Sequence, residues 1–123
     1  SGINLGENLG AGLTISGTFG AALEAVSYGK KAMAISRECD RKISDSNLWD
    51  WDSTKESASV VLKTLFQTIN EWKLANINIP NHSTLEINSR LGFDESKIKI
   101  NDDIYALRIS KAIGITLLEG VIA

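Results

Sequence analysis

Between Thr18 and Ser36 the hydrophobic pattern changes period, and this switch constrains the fold more than any other feature. Phe19, Ala22, Leu23 and Val26 recur at helical spacing, and Gly29 stands where a C-terminal cap belongs. A helix is therefore predicted from about Gly17 to Tyr28. Lys31 to Ser36 follows at once, with Ala32, Met33, Ala34 and Ile35 as a short apolar run that predicts a buried strand. The first eighteen residues, up to the helix start, are rich in Gly, Asn, Ser and Thr and favour loop conformations. Loop, helix and strand in this order make one arm of a parallel α/β unit.

The rest of the chain extends that pattern. Arg37 to Asp52 is charged and polar and predicts a loop, with Trp49 and Trp51 anchoring it to the core rather than stacking a nucleobase. Within it, Arg37 to Lys42 predicts a solvated stretch, with a contribution from Arg37 to ligand binding left open. Ser53 and Glu56 have the spacing of a capping box. Ala58, Val61, Leu62, Leu65, Phe66, Ile69 and Trp72 mark the buried stripe of the helix that follows. Ala75 to Pro80 alternates with period two and predicts a strand ending at proline. Leu85 to Ser89, Lys97 to Ile100, Ile104 to Ile109 and the apolar Ala112 to Leu118 predict further strands.

With 123 residues, 43% hydrophobic and 23% charged, the chain suits a single globular domain. A formal net charge of −2 provides no basic field, so nucleic acid is not an expected partner. Phosphorylated small molecules remain open, because backbone amides bind phosphate without net positive charge. Cys39 is the one cysteine and leaves no internal disulfide, which fits a reducing compartment; the expected location is cytoplasmic. No apolar run reaches the roughly 18 residues that span a bilayer, so no membrane association is expected.

Two segments have the composition for chemistry. In Ser1-Gly2-Ile3-Asn4-Leu5-Gly6-Glu7-Asn8-Leu9-Gly10, the Asn4 and Asn8 amide oxygens suit a hard cation, although Asn beside Gly in a loop more often shapes a turn. Ser16, Gly17 and Thr18 open the first helix, where unpaired amides and the positive end of the macrodipole can seat a phosphate. Taken alone, Ser or Thr at a helix start is more often only a plain N-cap. His82, after Pro80, reads as a turn residue.

Together the blocks resemble the SurE family, of stationary-phase survival proteins. The resemblance rests on Ser-Gly-x-Asn-x-Gly-x-Asn-x-Gly, then Ser16-Gly17-Thr18 and the small-residue helix Ala21-Ala22-Leu23-Glu24. Lys31 to Ser36, Asn76-Ile77-Asn78-Ile79-Pro80, Asp103 to Leu107 and Ile113 to Leu118 continue it in order, across nearly the whole chain. It implies a Rossmann-like three-layer α/β core with a β-rich C-terminal extension, and a 5′/3′-nucleotidase that hydrolyses nucleoside monophosphates with a divalent cation, Mg²⁺ or Mn²⁺. It also implies a homodimer or homotetramer. By position it makes Asn4 a metal ligand and assigns Asn8, Ser16, Gly17 and Thr18 to phosphate binding.

Several departures qualify the match. The family's paired aspartates are expected upstream of Ser1, so the chain reads as one phosphatase domain, residues 1–123, lacking its N-terminal segment. Asn101-Asp102-Asp103 imitates that acidic motif, but Ile104 replaces its glycine. The segment between Pro80 and Asn101 is short for the family, Leu117 replaces a proline, and the usual C-terminal tail is lacking. The alternative reading is a non-catalytic phosphate- or nucleotide-binding or oligomerisation module.

Overall fold

The computed structural model describes residues 1–7, 17–68, 72–81, 85, 87–88 and 113–118. Among these, five strands form one mixed sheet. They are β1 (Asn4–Leu5), β2 (Ala32–Arg37), β3 (Leu74–Ile79), β4 (Ile87–Asn88) and β5 (Ile113–Leu118), in spatial order β1-β2-β3-β5-β4. β1, β2 and β3 are parallel, β5 is antiparallel to β3, and β4 is parallel to β5. Of the predicted C-terminal strands, β4 and β5 belong to this sheet; Lys97 to Ile100 and Ile104 to Ile109 lie outside the described residues.

Helix α1 (Gly17–Ser27) is built as its spacing requires. Its alanines favour the helix, and Phe19 and Ala22 bury one face on Ala34 and Leu74, with Leu23, Val26, Ala32 and Leu118 around them. Gly29 ends the helix at φ +79°, a left-handed conformation that glycine adopts without steric cost. There the Lys30 amide donates to the Ala25 carbonyl at 3.2 Å and the Gly29 amide to Val26 at 2.9 Å, closing a Schellman cap.

Helix α2 (Trp51–Lys63) covers the opposite face. Val61, Leu65 and Trp72 pack on Ala75, Ile77, Ile79, Ile113 and Ile115, with Met33, Ile35, Ala58 and Leu117 at the margin. Successive strand residues point to opposite faces, so Ala32 and Ala34 meet α1 while Met33 and Ile35 meet α2. The result is the predicted three-layer α/β core. β3, covered on both sides, is buried at all six positions, including Asn76 and Asn78.

Several expectations need correction, beginning with the glycine-rich N-terminal stretch, which is not all loop, because Asn4–Leu5 pair with β2 as strand β1. α2 starts at Trp51, not Ser53: the Asp50 carboxylate accepts the Ser53 amide at 3.0 Å, so Asp50 is the cap. Leu62 and Phe66 do not belong to the buried stripe, being 42% and 64% exposed. The inward line runs Thr54, Ser57, Val61 and Leu65, and Leu62 and Phe66 each lie one residue, about 100°, further round the helix. The chain then winds as a π-turn over Thr64–Thr68, and Trp72 follows the helix rather than ending it. Finally, Arg37 and Glu38 are not solvated. Arg37 is the last residue of β2, and both are buried. Among the described residues, no helix is long and apolar enough to cross a membrane.

Candidate functional site

The carboxyl ends of β1, β2 and β3 meet at one rim, where ligands bind in open α/β sheets. Backbone bonds join the three exits: the Gly6 amide donates to the Arg37 carbonyl at 2.8 Å, and the Glu38 amide to Ile79 at 2.8 Å. Side chains reinforce them. The Glu7 carboxylate accepts the Cys39 amide at 3.2 Å and lies 3.6 Å from Arg41. The Glu38 carboxylate accepts the Asn81 amide at 3.3 Å. Just before β1, Gly2 runs so close to β2 that an added Cβ would overlap the Ile35 carbonyl oxygen.

Asn4 sits on β1, and Thr18 is in the first turn of α1. Fourteen residues apart, they meet at this rim, with the Thr18 hydroxyl donating to Asn4 Oδ1 at 3.1 Å. Asn4 Nδ2 donates to the Gly6 carbonyl at 2.8 Å. That second bond sets the amide's orientation, because only nitrogen can donate there, and so Oδ1 must face Thr18. Gly17, exposed, stands beside Thr18; the amides of a first helical turn have no acceptor within their own helix. Asn4, Gly17 and Thr18 are thus brought to one end of the sheet. Asn8 and Ser16 lie outside the described residues.

The strand register adds two residues that the sequence reading quoted only as parts of strands. Asn4 pairs with Ser36, and Ser36 with Asn78, so these three polar side chains share one row and the α1 face. Ser36 and Asn78 are both buried. The available signal was polar residues at the last inward position of predicted parallel strands.

On the other face of the rim, Arg37 is 1% exposed. Its guanidinium donates from Nε to the Thr54 hydroxyl at 2.8 Å and from one terminal nitrogen to the Glu38 carbonyl at 2.8 Å. It also lies 4.5 Å from the Trp49 ring centroid and 5.3 Å from that of Trp51. The two indoles stack, centroids 5.9 Å apart, and donate to the Ile43 and Ser46 carbonyls. They therefore anchor the loop, as expected. Burial pushes the Arg37 pKa down, while Asp40, then Asp50, pull it back up. Burial leaves Arg37 no route to a ligand, so its role here is to hold the rim.

The fit of a divalent cation is good in kind and incomplete in number. Asn4 Oδ1 is a hard neutral oxygen of the right type. Among the described residues, no group of three or more His, Cys, Asp or Glu side chains could hold a metal ion. Of the sequence-predicted cation ligands, the described residues thus include a single oxygen donor, Asn4 Oδ1.

Comparison with known proteins identifies the family. The family model for survival protein SurE matches residues 1–98. The chain is 40% identical over 85 residues to the 5′-nucleotidase SurE of Aliarcobacter butzleri, covering 65% of this chain and 32% of that protein. It is 47% identical over 85 residues to that of Methanopyrus kandleri, with the same coverage, 65% and 32%. The chain thus spans about a third of the length of these curated relatives. The crystal structure of the SurE protein from Aquifex aeolicus superposes with a TM-score of 0.77 at 23% identity. That match covers 100% of this chain and 59% of the other, and carries the fold alone. With four fifths of its residues inside the family model, the chain belongs to the SurE family.

Proposed function

We propose that this chain seats the phosphoryl group in a metal-dependent phosphatase that hydrolyses nucleoside 5′- and 3′-monophosphates to nucleoside and phosphate. The observation that carries the reading is the Thr18–Asn4 hydrogen bond, which joins the helix start to the strand end at the sheet's ligand-binding rim. The name 5′-nucleotidase on relatives 40% and 47% identical supports it.

In this reading the amides of Gly17 and Thr18, with the positive end of the α1 macrodipole, hold the equatorial phosphoryl oxygens. The family resemblance assigns Asn8 and Ser16 to phosphate binding as well. Thr18 has a single hydroxyl proton and two acceptors for it, Asn4 Oδ1 and a bound phosphoryl oxygen. Given to the phosphate, that proton leaves both lone pairs of Asn4 Oδ1 open to a cation. A divalent cation, Mg²⁺ or Mn²⁺, would supply Lewis-acid polarisation of the phosphoryl group. The family resemblance supports a homodimer or homotetramer acting in the cytoplasm.

The test is phosphate release from a nucleoside monophosphate panel with Mg²⁺, Mn²⁺ or EDTA. Release should require the metal and fall roughly a hundredfold in Asn4→Ala, the range seen on removing one stabilising polar group. Thr18→Val should lose roughly tenfold, as expected for one hydrogen bond to a charged group, and Thr18→Ser should restore it. The panel is run on this chain and on its full-length parent: release by the parent alone places the remaining metal ligands upstream of Ser1, and no release from the folded, full-length parent with either metal would overturn the reading and leave a phosphate-binding or assembly module.

A further inference from the structure

A cavity of about 320 Å³ opens at the opposite end of the sheet from the rim, lined by Val26, Gly29, Lys30, Lys31, Trp72 and Lys73. Three lysines line it, and among the described residues no acidic side chain lines it and none of the three is ion-paired. Such a cluster in a chain of net charge −2 needs a reason. Helix capping is not one: the last α1 carbonyls already accept from the Ser27 hydroxyl and from the Tyr28, Gly29 and Lys30 amides. Edge protection is not one either, since Lys31 and Lys73 precede β2 and β3, which are interior strands.

The cluster is held in place. The Ala32 amide donates to the Lys73 carbonyl at 3.0 Å, fixing the two strand starts together. Lys31 Nζ stands 4.8 Å from the Trp72 ring centroid, a cation–π contact that holds its ammonium at the cavity wall. Three ammonium groups around one cavity repel each other, and a multivalent anion between them relieves that repulsion. The volume falls at the lower end of small-ligand sites.

We propose that this cavity is a second anion site, distinct from the phosphoryl-binding rim, for a small ligand that carries a diphosphate group. The lysines bind the phosphates, and Val26 with the Trp72 edge forms an apolar wall against whatever the diphosphate is attached to.

Calorimetric titration of the protein with inorganic pyrophosphate, and separately with ADP, tests this; EDTA keeps metal-dependent hydrolysis silent. Saturable binding is expected, weakened at least about tenfold by Lys31→Gln with Lys73→Gln, as for losing charge-assisted hydrogen bonds. Lys42→Gln with Lys55→Gln removes the same charge elsewhere on the surface and should leave affinity within about twofold. Tighter binding of ADP assigns the apolar wall to a nucleoside; equal binding assigns the site to the diphosphate alone. No saturable binding at a few millimolar, an equal loss in both lysine pairs, or no loss in Lys31→Gln with Lys73→Gln would overturn the proposal.

Discussion

Arg37 carries a full charge into the interior, with two indole faces and two hydrogen-bond acceptors as its surroundings. Desolvating a guanidinium is costly, but Arg is less strongly hydrated than Lys and its flat face suits aromatic stacking. Replacing it by Met relieves the desolvation and loses both hydrogen bonds, the one to the Thr54 hydroxyl and the one to the Glu38 carbonyl. The lost bonds should win, so Arg37→Met is expected to destabilise by about 2 kcal/mol. Arg37→Lys should recover less than half of that, because it lacks the Nε donor and the planar face. Urea unfolding followed by tryptophan fluorescence measures both. The folded-state pKa of Arg37 lies below its unfolded value. Its burial penalty is therefore fully present below the folded pKa and relaxes only as pH rises through it. Arginine titrates far above neutrality, so the wild-type minus Met difference should stay flat between about pH 6 and 9. A slope in that window would contradict a permanently charged guanidinium.

Element ends are set by which side chain reaches the orphan amides first. In α2 the sequence pattern points to Ser53 with Glu56, at capping-box spacing, but in the structure Asp50, three residues earlier, is the cap. Asp50 takes the Ser53 amide, and its backbone carbonyl accepts the Thr54 hydroxyl at 3.2 Å. Starting the helix there brings Thr54 inward to meet Arg37. Asp50→Ala is expected to cost about 1 kcal/mol, the usual value of a lost N-cap. Glu56→Ala should stay within about 0.5 kcal/mol, as for an ordinary surface change. Thermal unfolding of the two variants separates the alternatives, and an equal loss in both would restore the capping box. α1 has no such competition: its stripe and Gly29 agree on a single boundary.

For the whole molecule, the central strand holds the layers together. Ile77 is fully buried on β3 and packs within the cluster covered by α2. Ile77→Ala should therefore cost about 2–5 kcal/mol, while Leu62→Ala, on the exposed shoulder of α2, should cost about 1 kcal/mol or less. Denaturant midpoints compare them, and similar losses would mean that the α2 face is assigned wrongly. The sheet also separates two kinds of end. Polar side chains and the α1 N-terminus gather at the carboxyl ends of the parallel strands, and lysines gather at the amino ends of β2 and β3.

Hydrophobic period sufficed to read α1, β2, β3 and the apolar stretch of β5 from the sequence, because each buries a face whose spacing is local. Composition made Asn4, Gly17 and Thr18 candidates, since a glycine-rich loop before a helix start offers amides, hydroxyls and short amide side chains, while the roles proposed for them came from the family resemblance. Other features depended on partners far along the chain. The solvated reading of Arg37 followed from its charged neighbours, whereas its burial depends on Trp49, Trp51 and Thr54 arriving from the next loop and helix. The row Asn4–Ser36–Asn78 exists only through strand register, which no single segment contains. The lysine cavity likewise needs α1 and the starts of β2 and β3 to pack together. Local periodicity determines which face of an element is apolar; only the packed tertiary structure decides which polar groups become neighbours, because that depends on contacts between residues distant in sequence.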